Sequence, residues 1–216
     1  MKNFFAINQK QTDMKNQTAL FIIVCTICFL FYRCNSAANN SSTNDSATTA
    51  TTVANGGYAS QADWGKHLVA IGGCSDCHTP KKMTNQGPVD DSTLLLSGHP
   101  SQLPAPSLMP DQLKKGYAAT QDLTAWNGPW GTSFSANLTP DSTGLGAWTE
   151  EQFLTCIRQH LFKGIKGERP LMPPMSMVGV NNFSDDELKA VFAYLKTLQP
   201  VHNIVPDYQP PAGASK

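Results

Sequence analysis

Apolar residues fall into four groups along this chain. The first is an apolar run from Ala19 to Tyr32, behind a polar, mildly basic lead-in from Lys2 to Lys15. At 14 residues it is shorter than the roughly 17 to 25 a helix needs to cross a bilayer, and it has the form of the apolar region of an export signal. The other three groups are spaced for helices. Trp64, Leu68 and Ile71 follow a near capping box, Ser60-x-x-Asp63, and predict an amphipathic helix that stops at Gly72-Gly73. Phe153, Leu154, Ile157 and Leu161 follow Thr149-x-x-Gln152 and predict a second helix ended by Gly164. Leu188, Val191, Phe192, Leu195 and Leu198 follow Ser184-x-x-Glu187 and predict a third, closed by Pro200.

Between the first two of these helices the pattern breaks down into Pro, Gly and Trp. Leu103-Pro104-Ala105-Pro106 and Gly128-Pro129-Trp130-Gly131 predict ordered loops, because their prolines and glycines fit neither regular pattern. No alternating run of strand residues stands out, so the expected class is all-α with long loops. The chain then divides into a signal peptide or membrane anchor at 1–34, an Asn/Ser/Thr/Ala-rich tether at 35–57, a domain at 58–200 and an extended Pro-rich tail at 201–216. The tether holds almost no large apolar side chain, too little to offset the entropy of ordering it.

Charge narrows the partners. The 216 residues carry 16 basic and 16 acidic side chains, but beyond residue 33 the balance is 12 bases to 15 acids, which supplies no basic face for nucleic acid. Six cysteines would suggest a disulfide framework in an exported chain. However, Cys25, Cys28 and Cys34 lie in or beside the leader, and Cys74 and Cys77 belong to a motif of their own. Cys156 is left over, on a predicted helix face that suits a buried, inert thiol. Cys34 stands where a bacterial lipoprotein carries its lipid, although Phe31-Tyr32-Arg33 lacks the small residues of that cleavage site; an uncleaved anchor and simple release are the alternatives.

The candidate chemistry is concentrated in Gly73-Cys74-Ser75-Asp76-Cys77-His78. Two thiols three positions apart can bond to both vinyl groups of one haem while the adjacent imidazole ligates its iron, so C-x-x-C-H reads as a c-type haem attachment site. Zinc would need a second ligand pair, and a redox dithiol would need a βαβ setting that the flanks do not suggest. For the other face of the iron, Leu171-Met172-Pro173-Pro174-Met175-Ser176-Met177 offers three thioethers. A methionine opposite histidine raises the potential. Met175 is favoured because the two prolines before it make a stiff, extended arm. Met172 and Met177 remain alternatives, as does His99 in Ser97-Gly98-His99-Pro100, which otherwise serves as a loop residue near the haem edge. His67 and His202 read as surface residues, and His160 as a helix-end cation. Trp126, Trp130 and Phe134 are candidate lids over a haem, with indole N–H groups for its propionates, or plain core.

These motifs resemble the class I monohaem cytochromes c of bacteria, more closely those associated with membrane-bound dehydrogenases and respiratory chains. The resemblance rests on Gly73 to Pro80, Leu96 to Pro100, Thr124 to Gly131, Ala136 to Trp148, Arg169 to Met175 and the final helix. It implies a cytochrome c-like helical domain around one covalent haem c, held by Cys74 and Cys77, with His78 and Met175 as axial ligands. Ser176-Met177 departs from the Pro and aromatic that commonly follow the family's distal methionine. The implied function is electron transfer without substrate chemistry of its own. Its partners would be redox proteins, among them a dehydrogenase, another cytochrome or a terminal oxidase. The implied location is the periplasmic side of the cell envelope, tethered to the membrane through the N-terminus. The alternative is a haem enzyme or sensor with an open sixth position.

Overall fold

The computed structural model describes residues 54–106, 111 and 116–211. The leader, Cys34 and most of the tether lie outside the described residues. No helix among those described is long and apolar enough to cross a membrane. Helix α1 spans Gln61–Ile71, α2 Cys74–His78, α3 Glu150–Arg158 and α4 Asp185–Leu195.

The cap signals act as expected. Ser60 Oγ accepts from Asp63 N at 3.0 Å, and full capping boxes open α3 at Thr149/Gln152 and α4 at Ser184/Glu187. Helices α1 and α4 cross in backbone contact, since a Cβ on Gly65 would lie 1.8 Å from the Ala190 carbonyl oxygen. Leu68 and Val69 of α1, Leu188, Val191 and Leu195 of α4, and Phe153 and Ile157 of α3 form one core with the loop residues Leu96 and Leu145. At about 1.5–3 kcal/mol for each large side chain buried, this cluster is the domain's main stabilising element.

Two helix expectations need correction. Ile71 is 65% exposed, and α1 buries Gly65, Leu68 and Val69 instead. The stripe shifts because the close crossing buries Gly65 against Ala190, while Trp64 packs on the core only partly buried. Helix α3 stops at Arg158 instead of running on to Gly164, because His160 adopts a left-handed φ of 51° and Leu161 turns back to pair with Pro170. Gly164 then comes so near the α3 backbone that a Cβ would lie 2.1 Å from the Gln152 carbonyl oxygen. Arg158 holds this end, donating to the carbonyl oxygens of Asn181 and Phe183 and to Asp185 Oδ1 at the start of α4.

The domain is also not purely α. Strand β1 (Lys81–Thr84) pairs antiparallel with β2 (Gly87–Asp90), and β3 (Ala118–Ala119), β4 (Ala125–Gly128) and β5 (Gly131–Phe134) form a second small sheet in that order. These strands left no alternating signature because β1 and β2 are mostly exposed on both faces. In β4 and β5, a two-residue turn at Pro129-Trp130 sets the register Gly128↔Gly131. From residue 201 to 211 the chain is strapped to the domain. Val201 N donates to Thr139 Oγ1, Asn203 Nδ2 to the Ser97 and His99 carbonyls, and Thr132 N to the Gln209 carbonyl.

Candidate functional site

Helix α1 ends at Gly72, and Gly73 takes a left-handed φ of 64° that starts α2 in a new direction. Positions i, i+3 and i+4 of a helical turn share a face, so α2 presents Cys74, Cys77 and His78 together. The described thiols of Cys74 and Cys77 are free. Burial pushes Cys74 up to about 11, and it raises Cys77 above its ordinary value with help from Asp76.

His78 is clamped from a segment 58 residues away. Its Nδ1 lies 2.8 Å from the Ala136 carbonyl oxygen, which can only accept, so Nδ1 carries the proton and Nε2 is the nitrogen free to ligate iron. The His78 carbonyl accepts from Gly98 N at 2.8 Å, and His99 N donates to the Ser135 carbonyl at 2.9 Å. Gly98 has a φ of 79°, and a Cβ there would lie 2.5 Å from the Ser135 oxygen. The Ser97-Gly98-His99 loop therefore threads between His78 and residues 135–136, and only glycine fits. Asn137 fixes Ala136 from the other side. Its Nδ2 donates to Thr143 Oγ1 and the Val201 carbonyl, and its Oδ1 accepts from Thr139 N and Oγ1. Burial, partly offset by the bond to Ala136, holds the His78 pKa below the ordinary imidazole value.

The methionine loop lies in a turn, not an extended arm. Met177 N donates to the Pro174 carbonyl at 2.8 Å and Ser176 N to the Met172 carbonyl at 3.4 Å, which close the chain around Pro173-Pro174. Ser133 Oγ donates to the Pro173 carbonyl and ties the turn to β5, while Leu171 N donates to the His160 carbonyl at 2.7 Å. The three thioethers are not equivalent. Met175 packs against the same core cluster as Cys74, whereas Met177 is 77% exposed.

His99 is fully buried, with Nδ1 2.8 Å from Thr124 Oγ1 and Nε2 3.1 Å from the Leu103 carbonyl oxygen. Both nitrogens are occupied by protein, which leaves neither for iron. The indoles do not offer N–H groups to a propionate, because Trp126 Nε1 donates to the Leu123 carbonyl and Trp130 Nε1 to Ser133 Oγ. His67 is exposed and stacks on Tyr58, and His202 lies 3.4 Å from Asp141. Cys156 is buried and pushed up to about 11 by desolvation, an inert thiol. Sequence reasoning gave no role to Asn137, Asn203, Lys81 or the Ala136 carbonyl. The Ala-Asn-Leu-Thr-Pro stretch was visible as a motif, but its target 58 residues away was not.

The residues present suit a covalent haem. Two free thiols, an imidazole with Nε2 open and a half-buried thioether form the donor set, and a donor is left over: the buried His160 Nδ1 has no protein partner among the described residues. Asn181 Nδ2 donates to His160 Nε2 at 3.4 Å, so the proton is on Nδ1, and a haem carboxylate is the kind of acceptor it lacks. No group of three or more His, Cys, Asp or Glu side chains among the described residues is arranged to hold a metal ion, so nothing there completes a zinc set around Cys74 and Cys77.

The donor set at this attachment site is that of a c-type haem protein. Residues 62–199 match the family described as Cytochrome c, and the chain belongs to that family, whose haem c is bound covalently. It is 34% identical over 87 residues to one of the subunits of the nicotinate dehydrogenase of Pseudomonas putida, 39% of this chain and 7% of that protein. It is 34% identical over 90 residues to the fructose dehydrogenase cytochrome subunit of Gluconobacter japonicus, 40% of this chain and 18% of that one. The gluconate 2-dehydrogenase cytochrome c subunit of Pantoea cypripedii matches at 34% over 79 residues, 36% and 16% of the two chains. The chain thus spans less than a fifth of the length of these curated relatives.

Proposed function

We propose that this chain relays single electrons through one haem c attached at Cys74 and Cys77, with His78 Nε2 and Met175 Sδ as the axial pair, to or from a dehydrogenase-type partner. When bound, the haem supplies a one-electron ferric/ferrous couple whose potential a thioether ligand raises. The protein's share is to orient and shield. Ala136 fixes the tautomer and plane of His78, Ser133 anchors the methionine turn, and the core excludes water from the Cys74 side. The contrast between Met175 against the core and Met177 in solvent carries the ligand choice. The partner follows from the three relatives, each named as a subunit of a dehydrogenase. The chain acts as carrier and leaves substrate chemistry to that partner. Residues 1–34 tether it, through lipid on Cys34 or as an uncleaved anchor, to the membrane facing the periplasm.

The test is a set of three alanine variants of the purified holoprotein. Met175→Ala should abolish the near-infrared sulfur-to-iron absorption, lower the midpoint potential and open the reduced protein to rapid carbon monoxide binding. Met172→Ala and Met177→Ala should change none of these. Loss of the band in either of the latter alone would move the ligand, and rapid carbon monoxide binding by the unaltered protein would favour an open sixth position.

A further inference from the structure

Lys81 opens β1 three residues beyond His78, and its charge is turned inward. The side chain is only 10% exposed. Its Nζ donates to the carbonyl oxygens of Ser75 at 3.0 Å, Asp76 at 2.9 Å and Thr79 at 2.6 Å, and lies 3.1 Å from Asp90 Oδ1. Ser75 and Asp76 belong to α2, so the ammonium is fixed against the short helix that carries Cys77 and His78. Asp90, its partner across the β1–β2 hairpin, also accepts from Ser75 Oγ at 2.6 Å and is 45% exposed. An ammonium held within 3.1 Å of four oxygens, three of them main-chain, is a charge at a set distance, not a mobile surface cation. A hairpin could be closed by an apolar pair at this position without the cost of burying an ammonium.

We propose that Lys81 is a potential-setting residue: a fixed cation beside the haem-bearing helix that favours the reduced state, with Asp90 as its partial counterweight. The inference rests on the reading that His78 ligates the iron. When one electron arrives from the donor protein, the net charge at the iron falls by one unit, so a nearby cation destabilises the oxidised state more than the reduced one. A nearby carboxylate does the reverse. The opposed charges differ in weight because Lys81 is shielded from solvent and Asp90 is not.

Anaerobic redox titration of the holoprotein, with Lys81→Met, Lys81→Arg, Asp90→Asn and the double variant, tests this. Lys81→Met should lower the ferrous-to-ferric ratio at fixed ambient potential by about tenfold, about 59 mV for one electron. Asp90→Asn should raise it, Lys81→Arg should stay near the parent, and the double variant should fall between the single ones. A scaffolding role would make loss of either partner loosen the same knot and move both potentials in one direction. That outcome, or no shift in Lys81→Met, overturns the proposal. If Lys81→Met yields no holoprotein, Asp90→Asn decides alone: a rise supports the proposal, and a fall or no change overturns it. Variants are compared only where the sulfur-to-iron band is retained. Absence of that band in the parent would instead indict the axial assignment.

Discussion

Gly65→Ala tests the packing that carries the haem site. The added Cβ would lie 1.8 Å from the Ala190 carbonyl oxygen and 2.4 Å from its carbon. An ordinary carbon–oxygen contact is about 3.3 Å, so α1 and α4 must move apart by about 1.5 Å. The obstacle is main chain, and no rotamer change relieves it. A gap of 0.5–1 Å already forfeits a quarter to a half of each dispersion contact. Leu68, Val69, Leu188, Val191 and Leu195 all pack in the core that these two helices share. Overpacking of this kind costs at the upper end of the usual 1–3 kcal/mol or somewhat more, while alanine returns about 1 kcal/mol of helix propensity. The net loss is about 2.5 kcal/mol, roughly 60-fold in the folding equilibrium. Guanidinium unfolding of the holoprotein, followed by far-ultraviolet dichroism and by the Soret band, measures it, with exposed Lys66→Ala as a control expected within about 0.5 kcal/mol. Ala190→Gly should give no rescue, since the clash is with a carbonyl. A Gly65→Ala protein as stable as its parent, or more stable, would refute the crossing.

Two further outcomes are expected. Asn137→Ala removes four hydrogen bonds from a residue that is 3% exposed and should cost about 3 kcal/mol. Limited proteolysis should then cut the tail after residue 200 faster, because the Val201 carbonyl loses the nearer of its two donors. His99 has its pKa lowered from the ordinary 6.5, first by burial, so below that value the unfolded chain binds more protons than the folded one. Its contribution to stability is present above 6.5 and is lost as pH falls from there through the lower folded value, with a slope of at most about 1.4 kcal/mol per pH unit. Denaturant titrations of the holoprotein from pH 7.5 to pH 5 should show a steeper fall in the parent than in His99→Gln; parallel curves would contradict this.

Local signals were legible and long-range ones were not. Ser60, Thr149 and Ser184 announced their helices because a cap is settled within three residues. C-x-x-C-H was readable for the same reason. The end of α3 was not, because Leu161 continues the apolar stripe in sequence while its backbone pairs with Pro170. Gly65 carries no sign of its role in the sequence, because what requires glycine there is the Ala190 carbonyl of a distant helix. The hairpin at 81–90 is held by its own cross-strand pairing and by Lys81, Lys82, Asp90 and Asp91, none of which leaves a hydrophobic period. Prolines 173 and 174 suggested an extended arm, but the chain turns there, and the turn is set by hydrogen bonds to the Met172 and Pro174 carbonyls and by Ser133 from a distant strand.

The common element in these misses is that main-chain oxygens hold much of the site. His78 is oriented by the carbonyl of Ala136, Lys81 is fixed by those of Ser75, Asp76 and Thr79, and the methionine turn is anchored through that of Pro173. A carbonyl exists at every residue, so side-chain identity at 136 or 173 carries no record of the contact. What the sequence must preserve is whatever aims the carbonyl: Gly98, where a Cβ would strike Ser135, and Asn137, which saturates the neighbouring backbone. On the proposed reading, a ligand oriented by main chain in this way is held in place independently of the iron's charge, which suits a relay that gains and loses one electron. On that same reading, a single haem takes one electron at a time, and a two-electron oxidation feeding it would have to be split into single steps by the proposed partner.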